Sequence, residues 1–169
     1  KVLLAAADAL AFNPDGHGGT LRALAGSGVL STLRSQGIEH LSYFQVDNPL
    51  VRALDPVFLG LHVGDALSSG EVTSKAVAKR SADEKVGVFG VQDGQLTVLE
   101  YSDLDSEVCG AIDGEGKLKF RAGNMAVHAF GLDFLDRLTN GAGLPFHRAI
   151  KKVPFFDEST GTVQDPTAS

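Results

Sequence analysis

Side chains able to do chemistry gather at five places: Asn13-Pro14-Asp15-Gly16-His17-Gly18-Gly19-Thr20, Asp47-Asn48-Pro49, the cationic run Lys75, Lys79 and Arg80, Glu100-Tyr101-Ser102, and Gly123-Asn124. In the first, the glycines at 16, 18 and 19 clear side chains from the backbone, so peptide N–H groups can approach a flat or anionic ligand. The helical run Leu21-Arg22-Ala23-Leu24 follows and would aim its positive end at that ligand. Asp47 is expected where a buried strand gives way to a loop, and ligands of open α/β sheets collect beyond such strand ends. A carboxylate there suits a magnesium ion bridging phosphate oxygens; the same Asp-Asn-Pro also serves as a plain turn opener. Glu100 follows a strand, where its two oxygens can accept from paired sugar hydroxyls or simply face solvent. The Asn124 amide both donates and accepts, which suits hydroxyl or acetamido recognition, and Asn after Gly is equally a turn pair. Lys75, Lys79, Arg80 and the pair Lys151-Lys152 are the local positive charges that an anionic substrate would need, or a solvated face.

Other chemistries lack their residues. His17, His62, His128 and His147 do not have the spacing of a zinc site, and the lone Cys109 forms no internal disulfide or cysteine-rich metal centre. His62 reads as a surface or partly packed helix residue, and Cys109 as structural. No Gly-x-x-x-x-Gly-Lys-Ser/Thr loop and no Gly-x-Ser-x-Gly elbow occurs. With 169 residues, 43% hydrophobic and 21% charged, the chain can bury one good-sized core. Its net charge of −6 argues against a broad nucleic-acid face, which needs a basic stripe. No apolar run approaches the roughly 20 residues of a membrane span. The opening Lys1-Val2-Leu3-Leu4-Ala5-Ala6-Ala7-Asp8 turns polar too soon for a secretory signal. A single cysteine fits a reducing compartment, so a cytoplasmic protein is expected. No pattern assigns an oligomeric state.

The elements that must position these residues follow from periodicity. One or two short strands are expected within Val2–Phe12, then the glycine loop, then an amphipathic helix over Thr20–Gly37 hinged near Gly26-Ser27-Gly28. His40–Val46 reads as a buried strand stopped at Pro49. Asp55-Pro56 opens a helix that runs to Gly70. Val72–Val77 and Val86–Val91 are strands, and Asp93-Gly94 turns the second into Leu96–Leu99. Gly114-Glu115-Gly116 is a turn before a strand at Lys117–Phe120. Gly123–His128 is a compact element, Leu132–Leu138 a helix ended by Asn140-Gly141, and Val153–Phe156 a last strand. Strands alternating with helices predict an α/β fold with a mixed, mostly parallel sheet flanked by helices and an antiparallel insertion.

Taken in order, five blocks resemble the UDP-N-acetylhexosamine pyrophosphorylases of the UDP-sugar pyrophosphorylase group: Pro14-Asp15-Gly16-His17-Gly18-Gly19, Gln45-Val46-Asp47-Asn48-Pro49-Leu50-Val51, Asp55-Pro56-Val57-Phe58-Leu59-Gly60, Glu100-Tyr101-Ser102 and Ala122-Gly123-Asn124-Met125-Ala126-Val127-His128. The resemblance as a whole runs from about Lys1 to Pro166. The resemblance implies a glycosyltransferase-A-like nucleotidyltransferase core that joins UTP and an N-acetylhexosamine 1-phosphate into a UDP-sugar, releasing pyrophosphate, with magnesium as cofactor. It implies that Gly16 contacts uracil through its backbone with His17 beside it, that Asp47 lies at the metal and phosphates, and that Gly87, Glu100 and Asn124 contact the sugar. Ala-Gly-Asn with Glu-Tyr-Ser is similar to the N-acetylhexosamine branch. His17 stands where many enzymes of that branch carry Asn, so UDP-glucose or broad UDP-sugar specificity is the alternative. The family's glycine-rich triphosphate signature and its C-terminal basic block do not appear in these 169 residues. The expectation is therefore a central part of the catalytic domain, inactive by itself, with a non-catalytic nucleotide-sugar binding module as the alternative from another class.

Overall fold

In the computed structural model, residues 2–13, 15–141, 143–145 and 152–166 are described; Lys1, Pro14, His147 and Lys151 lie outside them. In chain order the elements are β1 (Leu4–Ala6), β2 (Ala9–Leu10), α1 (Gly16–Gly26), α2 (Val29–Ser35), β3 (His40–Tyr43), α3 (Pro56–Gly64), β4 (Val72–Ala78), β5 (Val88–Gln92), β6 (Gln95–Leu99), α4 (Ser106–Gly110), β7 (Ala122–Gly131), α5 (Leu132–Asn140), β8 (Phe155–Asp157) and β9 (Thr162–Gln164). They divide into two compact units, Lys1–Val29 with Leu138–Ser169, and Leu30–Arg137.

In the first unit β1 and β2 form an antiparallel hairpin, as do β8 and β9. The β8–β9 turn is held by Asp157, whose Oδ1 accepts from the Ser159 backbone N–H at 2.9 Å and from its hydroxyl at 2.7 Å. The glycine-rich stretch differs from expectation: Gly16–Gly19 is not a loop ahead of the helix but the first turn of α1 itself. Gly16 enters at φ +70°, a left-handed conformation open to glycine. A Cβ on Gly19 would lie 2.7 Å from the Asp15 carboxylate, which folds back to Arg22 at 2.6 Å. The helix breaks where the hinge is expected, at Ser27-Gly28.

The second unit is a five-stranded sheet built on β7, and every strand pairing in it is antiparallel. The expected mostly parallel sheet is thereby corrected. β3, α3 and β4 do form a strand–helix–strand crossover, and β3 and β4 run in the same direction. Both pair with the same residues, His128, Ala129 and Phe130, so β7 lies between them. A strand from much later in the chain has taken the place where a parallel neighbour would sit. Small residues make this crowding bearable: Ala129 is wholly buried, and a Cβ on Gly131 would come within 2.5 Å of the Gly70 carbonyl oxygen. Phe58 of α3 packs on Val127 and Ala129, with Phe44, Val51 and Leu59 around them. Leu132 and Leu135 of α5 bury the apolar face of an amphipathic helix.

The expected Lys117–Phe120 strand is only an isolated bridge, Ile112 to Leu118. The short helix α4 was not anticipated; Asp105 caps it by accepting from the Val108 N–H at 2.8 Å. His62, expected at the surface or partly packed, is fully buried, because it and Phe58 are four residues apart on the inner face of α3. Its Nδ1 bonds the Thr73 hydroxyl at 2.8 Å, and its ring meets His40 edge-on at 5.0 Å.

Candidate active site

Three predicted residues meet at the open end of the β5–β6 hairpin. Asp93 and Gly94 turn the hairpin with φ of 52° and 77°, the pair of left-handed positions that a type I′ turn requires. Pairing of Val88 with Leu99 then brings Gly87, just before β5, beside Glu100, just after β6. The Gly87 carbonyl accepts from the Asn124 N–H at 2.8 Å, which docks the hairpin end on β7. A Cβ on Gly87 would sit 3.0 Å from Val98 Cγ1 and 3.5 Å from Glu100 Oε1. A side chain at 87 would therefore press on Val98 and lie in van der Waals contact with the Glu100 carboxylate.

Asn124 belongs to a feature that the sequence reading missed. Between the pairs Ser74–His128 and Ala76–Asn124, β4 contributes Lys75 alone while β7 contributes Met125, Ala126 and Val127. The surplus makes a bulge, and Ala126 takes φ +50°, unusual for a residue with a Cβ. Asn124 Oδ1 accepts from the Ala126 N–H at 2.9 Å and so stabilises that bend. With its oxygen engaged there, the amide offers its NH2 donors to a ligand. The sequence did hold a signal: Gly-Asn reads as a turn because the chain does bend there, but inside a strand.

Asp47 lies in the exposed turn between β3 and α3. Its neighbour Asn48 fixes the turn locally, Oδ1 accepting from the Leu50 N–H at 3.1 Å. A cavity of about 240 Å³ opens beside it, where Asn48, Arg52, Asp55 and Lys75 face Met125 and Val127 of the bulge. Asp55 does two things there. Its Oδ1 caps α3 at the Val57 and Phe58 N–H groups, and its Oδ2 binds Lys75 Nζ at 2.6 Å. Hydrogen bonding from Lys75, with help from the helix amides, holds the Asp55 carboxyl below its usual range. Asp47 and Asn124 thus flank one region of the second unit, through Asn48 on one side and Met125 on the other.

Gly16 and His17 belong to the first unit, both exposed in the opening turn of α1. Among the described residues no group of three or more His, Cys, Asp or Glu side chains could enclose a metal ion. Nor is any described helix long and apolar enough to cross a membrane.

Residues 3–168 match the family model described as UTP--glucose-1-phosphate uridylyltransferase. The chain belongs to this uridylyltransferase family. Among curated relatives, a probable UDP-N-acetylglucosamine pyrophosphorylase of Schizosaccharomyces pombe is 40% identical over 161 residues, 93% of this chain and 33% of the relative. The UDP-N-acetylglucosamine pyrophosphorylase of Saccharomyces cerevisiae is 37% identical over 94% of this chain and 33% of its own length. A solved structure of a putative UDP-N-acetylglucosamine pyrophosphorylase from Entamoeba histolytica superposes with TM-score 0.80 and 31% identity, over 99% of this chain and 40% of the other. The chain therefore spans about a third of the length of the curated uridylyltransferase-family relatives it matches.

Proposed function

We propose that this chain is the central part of the catalytic domain of a UTP:N-acetylhexosamine-1-phosphate uridylyltransferase. The observation that carries the reading is the meeting of Gly87, Glu100 and Asn124 at one hairpin end in a chain similar to UDP-N-acetylglucosamine pyrophosphorylases. Glu100 would accept from sugar hydroxyls, and the Asn124 NH2 would donate to an acceptor such as an acetamido oxygen. Gly16 and His17 would line the uracil. In the reaction an oxygen of the sugar phosphate bonds to the α-phosphorus of UTP while the bond to the departing pyrophosphate breaks. The protein's part is to align the two and offset charge.

Asp47 is the residue that would hold magnesium. A single exposed carboxylate fits that ion, which keeps several waters and takes its other ligands from phosphate oxygens rather than from an all-protein cage. Bound there, it would neutralise phosphate charge. His17, in place of the Asn found in many N-acetylhexosamine enzymes, favours a second reading in which the sugar is glucose or several sugars are accepted. The lone cysteine fits a reducing compartment and so supports a cytoplasmic location. The 169 residues alone are expected to be inactive. Pyrophosphate release by the full-length gene product, with UTP and a panel of sugar 1-phosphates, tests all of this. Preference for N-acetylhexosamine 1-phosphates supports the first reading and preference for glucose 1-phosphate the second. No release with any sugar phosphate leaves a nucleotide-sugar binding module.

A further inference from the structure

The ion pair between Asp55 and Lys75 does more than cap a helix. Its side chains are 16% and 32% exposed, against 47% and 59% for Glu71, just before β4, and Arg137 of α5. Lys75 leaves β4 at the one point where β7 bulges. Its ammonium crosses to α3, 4.9 Å over the Phe58 ring, and ends 2.6 Å from Asp55 Oδ2. Charge, aromatic face and partly dried surroundings all favour this single position of a flexible side chain.

Asp55 is also where the loop carrying Asp47 ends. At its start that loop is anchored by the pairing of Tyr43 with His128 on one edge of β7. At its end it is anchored through Asp55 to Lys75, on the strand at the opposite edge. Between these points the turn itself is closed by short-range hydrogen bonds, Asn48 to Gln45, Leu50 to Asn48 and Val51 to Asn48. Phe44 and Val51 hold the flanks of the loop by packing beside Phe58 on Val127 and Ala129, and the ion pair adds the one polar tie at its end, so Asp47 stands where apolar packing and that pair together place it relative to the bulge.

We propose that Asp55 and Lys75 are positioning residues whose ion pair keeps the Asp47 loop in register with the β7 bulge that carries Asn124. Resting on the uridylyltransferase reading, this assigns them no contact with substrate. They act by holding two substrate-facing segments at a fixed separation.

The test uses three variants of the full-length protein. Asp55→Asn keeps an oxygen for the helix cap but loses the charge; Lys75→Met keeps the stem and loses the ammonium; Lys75→Arg keeps the charge. Amide hydrogen exchange at Leu50, Val51 and Leu54 should rise about tenfold in Asp55→Asn and Lys75→Met while the β5–β6 hairpin stays as protected as in wild type. In the same two variants kcat should fall about tenfold or more, since small misplacements of reacting groups are costly, with each KM within about threefold. Lys75→Arg should recover most of both losses. Unchanged loop exchange overturns the proposal, as does raised exchange with unchanged kcat. Equal loss of protection in the hairpin would also overturn it, since that marks a general loss of stability. If the wild type releases no pyrophosphate, the functional reading fails by itself, and loop exchange in the variants still decides whether the pair holds the loop.

Discussion

From His128 to Phe130, β7 pairs in unbroken register with a strand on each side, whereas between Asn124 and His128 it bulges and bends through a left-handed alanine. The larger cavity, about 480 Å³, lies at the regular end. Most of its charges are matched there: Arg34 binds Asp133 and Asp136, and Arg137 binds Glu71. The smaller cavity lies at the bulged end, lined by Met125 and Val127 on either side of the strained Ala126 and by Asn48, the neighbour of the exposed Asp47. On the proposed function, irregular backbone held by specific bonds marks the working end of this sheet better than cavity size does.

If the two ends divide labour in this way, substitutions at the bulged end should change turnover and those at the regular end stability. In the full-length protein Asp47→Asn should lower kcat by about 10²–10³-fold, the scale of losing one transition-state charge contact, with the melting temperature unchanged. Wild-type turnover would remove Asp47 from the site. At the regular end, Gly131→Ala pushes a methyl within 2.5 Å of the Gly70 carbonyl and should cost about 3 kcal/mol in urea unfolding; a loss below about 0.5 kcal/mol would show that the crowding relaxes.

Asn124 sharpens the comparison because it serves both purposes. Asn124→Ala should raise the KM for the sugar 1-phosphate about tenfold and cost about 1 kcal/mol of stability, since the Ala126 N–H loses its acceptor. Asn124→Asp keeps that acceptor, so it should show the KM effect with little loss of stability. Equal effects on the KM values for UTP and sugar phosphate would count against sugar recognition. The smallest effect concerns His62. Burial, with a smaller contribution from His40, lowers its pKa below the ordinary 6.5, so the folded state resists a proton that the unfolded chain accepts. Stability is therefore full above that value and declines as pH falls through it. The melting temperature should drop by a few degrees between pH 7.5 and 5.5, less so in His62→Gln; an identical slope in both would clear His62 of the effect.

Much of this was legible because it is local. The Asp55 cap, the Asp93-Gly94 hairpin, the hinge at Ser27-Gly28 and the α5 face each depend on residues a few positions apart, where propensity and periodicity act. Glu100 and Asn124 were legible as polar candidates from their residue types and Gly87 only through family resemblance, and the proximity of the three in space depends on hairpin register. What escaped depends on distant partners. The direction of β7 and its place between β3 and β4 are decided by tertiary pairing, for which alternation along one strand carries no information. The bulge disguised β7 by breaking that alternation at Ala126. Asp55 and Lys75 were each readable, as a cap and as a surface cation, but their pairing across twenty residues was not.

The central place of β7 also has a consequence for synthesis. β3 and β4 precede it by dozens of residues and have no partner on their inner edges until 122–131 has left the ribosome. Closing such separations is slow, and unpaired edges in the interval invite pairing with other chains. This domain should therefore depend on chaperone protection during the later part of its translation, and nascent chains halted before Ala122 should aggregate where those halted well after Gly131 do not.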